Sequence, residues 1–306
     1  MIMTGNISKI AVIGTGVIGA SWVINFLEKG FQVNAYDVQL DAEFKLREYI
    51  LRMAPEISQD HLKFERKLED ALKDVQFVQE NGPERVDLKE SLFEQMDSLT
   101  SPEVLLVSSS SGVTPTLFQA KAKYPERILL GHPFNPPHLI PLVEVCGGEK
   151  TAEIAISNTI DFYKSIGKKP IRLNKEMKGH VANRLQVALW QEAMYLVKEG
   201  VASVEDIDTA IADGPGLRWA FLGPFLNLHL SGGAGGIRHM LEHLGPPMES
   251  WMDDLGKISI DQATVELISD KVNEYISQKD IPLMVKERDT LLKELITRKK
   301  DTQELG

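Results

Sequence analysis

The chain has 306 residues, about twice the usual length of one domain, so two domains are expected. Hydrophobic residues make up 43% and charged residues 25%, which is typical of globular proteins and excludes a disordered chain or a long coiled coil. The net charge of −10 repels phosphate backbones, so nucleic acid is not expected as a partner.

The single cysteine, Cys146, excludes an internal disulfide and favours a reducing compartment, so a cytoplasmic location is expected. No apolar run reaches the roughly 18 residues that a membrane span needs, and the N-terminus lacks the pattern of an export signal. We therefore expect no membrane association.

From residue 7 to residue 173, short apolar runs alternate with helix-like segments, as in a parallel sheet flanked by helices. The predicted fold class is therefore α/β, with a Rossmann-type doubly wound sheet. The sequence predicts strands at Ile10–Ile13, Phe31–Tyr36, Phe77–Gln79, Val104–Val107, Ile128–Leu130 and Pro170–Leu173.

Beyond Leu173, apolar residues recur at helical spacing, and an all-helical C-terminal domain is predicted. A polar connector near Asn174–Lys178 marks the boundary. We expect one domain over residues 1–176 and a helical domain over residues 177–306.

A glycine fingerprint follows the first predicted strand directly. It comprises Gly14, Gly16 and Gly19, with Val17 and Ile18 before the last glycine, and an apolar helical stretch comes next. The first glycine permits a tight turn, the second lets the backbone approach a pyrophosphate, and the third lets helix and strand pack closely. Since the helix N-terminus then faces the phosphates, this order predicts a dinucleotide site.

Asp37 stands at the end of the second predicted strand, 21 residues after Gly16, where a carboxylate can accept both ribose hydroxyls. No arginine follows it to bind a 2′-phosphate. The sequence therefore favours NAD over NADP, and residues 1–176 are predicted to be the NAD-binding domain.

Two further loops leave the same end of the predicted sheet. The strand at Val104–Val107 leads into a run of serines that ends at Ser111, and the strand at Ile128–Leu130 leads into His132. Ligands of a doubly wound fold bind at this edge, so a hydroxyl and an imidazole face the nicotinamide. Oxidation of an alcohol needs a base to take the hydroxyl proton, and histidine has a suitable pKa.

Glu144 lies in the apolar run Leu142–Val145, where a carboxylate is costly unless it is paired. An imidazole is the obvious partner, so we predict a pair between Glu144 and His132. The carboxylate would fix the tautomer of the ring and stabilise the imidazolium.

These motifs, taken in order, resemble the 3-hydroxyacyl-CoA dehydrogenase family over roughly residues 7–245. The resemblance implies that His132 is the catalytic base, that Glu144 is its partner, and that Ser111 and Asn183 hold the substrate oxygen. The likeness is carried by Gly14–Gly19, Ser111, Gly131-His-Pro-Phe-Asn-Pro136, Leu142-Val-Glu-Val145 and Gly179-His-Val-Ala-Asn-Arg184.

The same resemblance extends to the cofactor site and to assembly. Ser109 stands near the cofactor at a position where the family has an asparagine, and Glu80, after the strand at Phe77–Gln79, is assigned to the cofactor site as well. The helical domain resembles the dimerisation domain of the family, so a homodimer is expected, with catalysis between the two domains.

Two features indicate a small 3-hydroxy acid as substrate. CoA-using members of the family resemble one another in a long helical hairpin before the strand at Phe77, whereas here only one helix and a brief connector are expected. Arg218 lies beside Trp219 and Phe221. A free carboxylate needs a fixed bidentate partner and a thioester does not, so Arg218 suits a free acid.

The stretch from Gly216 to Pro246 resembles the branch of the family that oxidises carnitine. A trimethylammonium group is recognised through aromatic faces, for which Trp190, Trp219, Phe221 and Phe225 are candidates. The alternative for these aromatics is a packed core. L-gulonate and 3-hydroxyacyl-CoA esters stay open as substrates, as does a non-enzymatic, crystallin-like structural or NAD-sensing protein.

Two other motifs are interpreted as structural. His239, Glu242 and His243 match a metalloprotease pattern, but no third zinc ligand is evident, so a metal is not expected. The glycines of Gly232–Gly236 follow no predicted strand, which favours a turn or close helix packing over a phosphate loop.

Overall fold

The structure, a computed structural model, describes residues 7–302 and residue 304. The chain divides into two compact units, unit 1 (Met1–Arg184) and unit 2 (Leu185–Gly306). The division lies eight residues beyond the predicted domain boundary. Backbone N–H groups of Val181 and Ala182 donate to the Glu144 carboxylate, which ties this segment to unit 1.

Unit 1 contains an eight-stranded sheet in the order β3-β2-β1-β4-β5-β6-β7-β8. The strands β1 to β6 are mutually parallel, whereas β7 pairs antiparallel with β6 and parallel with β8. The order reverses between β1 and β4, which creates the switch point where such folds bind ligands. The strands are β1 (Lys9–Ile13), β2 (Gln32–Tyr36), β3 (Leu62–Glu65), β4 (Phe77–Glu80), β5 (Leu105–Ser108), β6 (Ile128–Pro133), β7 (Leu142–Gly147) and β8 (Lys169–Arg172).

The predicted α/β class is confirmed, and all six predicted strands are present. The remaining two, β3 and β7, were not predicted as strands. In β3 only Leu62 is buried, so this edge strand lacks the apolar run of the others. The stretch from Asp37 to Phe77 therefore holds a helix, a strand and a short helix, which is more than the single helix and connector that were expected.

Among the described residues of unit 1, six α-helices flank the sheet. Side chains of β1 alternate between two buried clusters, since Ile10 and Val12 join one and Ala11 and Ile13 the other, so both faces of the sheet are covered. The first cluster includes a group of contacting aromatic rings, in which Trp22 and Phe26 stack at 5.2 Å. The helices are α1 (Val17–Glu28), α2 (Ala42–Met53), α3 (Leu68–Ala71), α4 (Val86–Leu99), α5 (Pro115–Phe118) and α6 (Glu153–Ser165).

Helices are the only regular elements of unit 2 among its described residues, as predicted. Many of its large apolar side chains are exposed, and α7 contains no buried residue. Across residues 7–302 and 304, no helix is both long and apolar enough to cross a membrane. The helices are α7 (Ala182–Lys198), which begins in the last residues of unit 1, α8 (Val204–Ala212), α9 (Pro215–Trp219), α10 (Pro224–Ser231), α11 (Gly236–Asp254), α12 (Gln262–Ile276) and α13 (Ile281–Lys300).

Candidate active site

The glycine fingerprint forms the turn from β1 into α1. Gly14 has φ +83°, and a Cβ there would lie 2.8 Å from the Asn81 carbonyl oxygen. A Cβ at Gly19 would overlap the Gly14 carbonyl, so close helix packing requires glycine. A Cβ at Gly16 would meet nothing within 4 Å, and no side chain caps the start of α1 at Val17. The open space and the uncapped N–H groups fit a bound pyrophosphate.

A groove of about 520 Å³ opens beside this turn. Asp37 lines it with an oriented carboxylate. Its Oδ2 accepts from the Thr15 backbone N–H at 2.8 Å, and its Oδ1 accepts from the Gln39 N–H at 3.0 Å. The groove fits a dinucleotide because glycines, a carboxylate and hydroxyls meet in it. Its lining includes Gly14, Gly16, Ile18, Asp37, Asn81, Glu84, Ser109 and Ser111.

Glu80, a predicted cofactor residue, lies behind the groove. Its side chain is fully buried, it does not line the groove, and Lys89 Nζ lies 2.9 Å from both carboxylate oxygens. Ser108 Oγ and the Gly82 N–H also donate to it, each at 2.5 Å. Because both oxygens have protein partners, Glu80 anchors the end of β4, and its contact with the cofactor stays a prediction.

Glu84, which the sequence reasoning missed, does line the groove. It accepts from Ser110 Oγ at 2.7 Å and from the Ser111 N–H at 2.6 Å. Burial favours a higher pKa for Glu84, but the hydrogen bonds from these serines outweigh it and lower the pKa. An ionised carboxylate therefore fixes the serine loop. Its position just past the carboxyl end of a strand was the signal that could have revealed it.

Ser109 joins a hydrogen-bond network. Its hydroxyl accepts from Trp22 Nε1 at 3.1 Å and from Gln79 Nε2 at 2.8 Å, and it donates to Asn81 Oδ1 at 2.7 Å. The Tyr163 hydroxyl in turn donates to Gln79 Oε1 at 2.7 Å. Ser109 thus links α1, β4 and α6 while it also lines the groove.

His132 and Glu144 form a buried pair. They are register partners across the antiparallel β6 and β7 strands, and His132 Nδ1 lies 2.8 Å from Glu144 Oε2. The other oxygen, Oε1, accepts from the N–H groups of Val181 and Ala182 at 2.8 and 2.9 Å. Burial favours a higher pKa for Glu144, but the hydrogen bonds from His132, Ala182 and Val181 outweigh it and lower the pKa. In the neutral ring, Nδ1 donates to this ionised carboxylate and Nε2 keeps its lone pair.

The other predicted catalytic residues flank this pair in the chain. Ser111 is partly exposed at the groove, and Asn183 lies in the first turn of α7 within unit 1. Between them, the buried His180 ring has Nε2 3.0 Å from the Ser110 carbonyl oxygen. The segment that leads to Asn183 therefore touches the serine loop directly.

Lys168, also missed, holds the loop that joins β6 to β7. Its side chain is buried, and Nζ donates to the carbonyls of Pro137 and Ile140. The ammonium lies 5.2 Å from the centre of the Trp22 ring. Burial lowers the pKa of Lys168 to about 8.

The predicted substrate residues of unit 2 are all exposed. Arg218 and Trp219 lie in α9, and no acidic side chain of the described residues pairs with Arg218. The exposed fractions are 50% for Trp190, 46% for Trp219, 44% for Phe221 and 75% for Phe225. None of the four aromatics is thus part of a packed core within this unit.

Comparison with known proteins agrees with these features. Residues 9–177 match the 3-hydroxyacyl-CoA dehydrogenase NAD-binding domain, and residues 179–264 match the C-terminal domain of the same family. The chain belongs to this family. It is therefore an NAD-dependent oxidoreductase that acts on the CH–OH group of a hydroxy acid.

Several relatives are similar over nearly the whole chain. L-carnitine dehydrogenase of Streptomyces coelicolor is 43% identical over 93% of this chain and 92% of that protein. L-carnitine dehydrogenase of Bacillus cereus is 41% identical over 95% of this chain and 92% of that protein. Among solved structures, the NAD⁺-dependent dismutase 5-formyl-3-hydroxy-2-methylpyridine 4-carboxylic acid 5-dehydrogenase has a TM-score of 0.80 and 29% identity, over 96% of this chain and 98% of the other.

Proposed function

We propose that the chain oxidises the 3-hydroxyl group of L-carnitine to a ketone, with NAD as the hydride acceptor. The observation that carries the proposal is the His132–Glu144 pair, 2.8 Å apart and buried, in a chain about 40% identical to proteins named for this activity. Bound NAD supplies a nicotinamide ring that accepts a hydride. The residues of the chain must therefore remove the hydroxyl proton and orient the substrate.

His132 is proposed as the base. Its Nδ1 donates to Glu144, so Nε2 is the atom that takes the hydroxyl proton as the substrate C–H bond breaks with its electron pair. The ionised Glu144 then stabilises the imidazolium that forms. Ser111 and Asn183 are proposed to hold the substrate oxygen, and Gly14, Gly16, Gly19 and Asp37 to hold the cofactor.

Arg218 is proposed to bind the substrate carboxylate. Its side chain is exposed and has no acidic partner among the described residues, which leaves its guanidinium available for a bidentate contact. The solved dehydrogenase is also named for a carboxylic acid. Trp190, Trp219, Phe221 and Phe225 are proposed to offer ring faces to the trimethylammonium group.

The direct test is NADH formation at 340 nm with a panel of substrates. L-carnitine should give the highest kcat/KM, and the rate should increase with pH because His132 must be neutral to accept the proton. L-gulonate, 3-hydroxybutyrate and 3-hydroxybutyryl-CoA are the competing substrates. A higher kcat/KM for one of them would replace carnitine as the substrate, and no turnover with any would contradict the enzymatic assignment.

The role of Arg218 is tested separately. Arg218→Ala should raise KM for carnitine by about tenfold to a hundredfold, the effect of losing a charged hydrogen-bonded pair, while KM for NAD stays unchanged. Arg238→Ala is the matched control, since Arg238 is an exposed arginine of α11 in the same unit. Equal effects of the two substitutions on KM would contradict the carboxylate role.

We further propose that the protein is a cytoplasmic homodimer assembled through unit 2. Leu230, Trp251 and Met252 are each at least 60% exposed, and large exposed apolar surfaces are typical of interfaces. The one thiol, Cys146, is buried and has no second cysteine to pair with, which supports a reducing compartment. Light scattering should give twice the 34.2 kDa of one chain, and the mass of a single chain at micromolar concentration would refute the dimer.

A further inference from the structure

A second imidazole lies beside the proposed base. The His180 ring is 2% exposed, and its centre is 5.0 Å from the centre of the His132 ring. His180 is also one of two non-glycine residues with positive φ among the described residues, at +51°. Such a conformation costs free energy and persists only where surrounding contacts enforce it.

Two sets of hydrogen bonds enforce this conformation. The Nε2 atom of His180 lies 3.0 Å from the Ser110 carbonyl oxygen, which can only accept, so Nε2 carries the proton and donates. The next two residues, Val181 and Ala182, donate their N–H groups to Glu144. One short segment therefore binds the serine loop through a side chain and the catalytic carboxylate through its backbone.

Burial favours the neutral form of the His180 ring. Burial lowers the pKa of His180, and the neighbouring His132 lowers it further. The hydrogen bond to Ser110 and the carboxylates of Glu144 and Glu84 raise it, but the net change is a lowering. A neutral ring next to His132 adds no positive charge where an imidazolium must form. Since Nε2 is engaged and the ring is buried, His180 is also poorly placed to serve as the base itself.

We propose that His180 is a positioning residue that fixes the Ser110–Ser111 segment against the His132–Glu144 pair, acting as a neutral hydrogen-bond donor. This role rests on the proposed function, because the serine loop matters for catalysis if Ser111 holds the substrate oxygen. The cross-link joins the loop after β5, the strand β7 and the segment before α7. Its loss would let Ser111 move relative to His132, and small displacements of this kind reduce turnover strongly.

Two substitutions separate a donor from a space-filling ring. In His180→Gln, the side-chain amide can donate from nearly the same position and cannot ionise, whereas His180→Phe keeps a ring and cannot donate. The Phe variant should lower kcat on the order of 10-fold to 100-fold and the Gln variant by less than about threefold, both with an unchanged Kd for NAD. The reverse order, with Phe active and Gln impaired, would overturn the proposal.

The pH profile distinguishes His180 from a titrating base. The acid limb of kcat/KM should persist in His180→Gln, because His132 is the group that must lose its proton. Disappearance of that limb in the Gln variant would show that His180 itself titrates in the reaction, which contradicts the neutral role.

A third measurement needs no substrate. The Ser111 N–H donates to Glu84 at 2.6 Å, and the Val113 N–H donates to Ser110 Oγ at 2.8 Å, so both amides report on the loop. Their hydrogen exchange should be about tenfold faster in His180→Phe than in the unaltered protein, and unchanged in His180→Gln, while the amides of β1 stay protected. If the unaltered enzyme oxidises none of the panel, the proposed function fails, yet this measurement still decides the role of His180. Unchanged exchange in the Phe variant would refute it.

Discussion

Lys168 offers a quantitative test of the packing that holds the loop between β6 and β7. The side chain is 7% exposed, and no carboxylate of the described residues forms an ion pair with it. Burial lowers its pKa from 10.5 to about 8, with Glu28 opposing the change. One pKa unit corresponds to about 1.4 kcal/mol, so this displacement corresponds to about 3 kcal/mol of stability.

The sign of the effect follows from proton binding. Above pH 10.5 the amine is neutral in both the folded and the unfolded state. Between about pH 8 and pH 10.5 the unfolded chain binds a proton that the folded protein does not, so the free energy of unfolding falls as the pH falls through this window. Below about pH 8 both states are protonated, and the loss is complete.

Lys168→Met removes this titration and is therefore the informative change. Relative to the unaltered protein, the stability of the variant should improve by about 3 kcal/mol as the pH is lowered from 10.5 to below 8. The comparison concerns the change with pH, because the variant also loses the hydrogen bonds to Pro137 and Ile140 at every pH. Lys169→Met, at the exposed neighbouring lysine, should show no such change.

Urea unfolding followed by Trp22 fluorescence measures this quantity for unit 1. The other three tryptophans, Trp190, Trp219 and Trp251, all lie in unit 2 and can be replaced by phenylalanine in every protein compared. A stability difference between the Lys168→Met variant and its parent that is constant within about 0.5 kcal/mol across the window would refute a buried amine with a lowered pKa.

Three further predictions concern the site. Gly16→Ala should raise the NAD Kd at least about tenfold in an NAD titration without lowering Tm, because its Cβ is clear of protein atoms. Gly19→Ala should lower Tm in a melting curve, because its Cβ would overlap the Gly14 carbonyl. Glu144→Gln should reduce kcat on the order of 10³-fold in steady-state assays, because a neutral amide cannot both orient the His132 ring and stabilise its imidazolium. Gly131→Ala should cost about 2 kcal/mol in urea unfolding by overlapping the Tyr163 hydroxyl, and adding Tyr163→Phe should recover part of the loss.

Local patterns made much of the fold predictable from the sequence. The glycine fingerprint, Asp37 and the apolar strands depend on backbone conformation and burial, which neighbouring residues report directly. The pairing of Glu144 with His132 was predictable for a similar reason, since a carboxylate in an apolar run requires a partner. The edge strand β3 was not predicted, because a strand with one buried residue has almost no apolar pattern.

Other features of the site depend on contacts that no local pattern reports. The burial of Glu80 was not evident from the sequence, because its partner Lys89 lies nine positions further along the chain, on α4. Lys168 and His180 bond to backbone carbonyls far away in sequence. Carbonyl partners leave no trace in residue type, so side chains that bind them are hard to identify without coordinates.

The reversal of β7 explains how the sheet assembles the pair proposed for catalysis. Side chains at the ends of parallel strands lie at the same edge of the sheet, on neighbouring strands joined by a long crossover connection. In an antiparallel pair, directly opposed residues have Cβ atoms about 5 Å apart on the same face. His132 and Glu144 are such partners, so a connection folded back by Lys168 brings residues 12 positions apart within 2.8 Å. The Glu144 carboxylate therefore reaches the ligand-binding edge of the sheet from within a strand, where burial shields it from water. The backbone N–H groups of Val181 and Ala182 donate to its second oxygen.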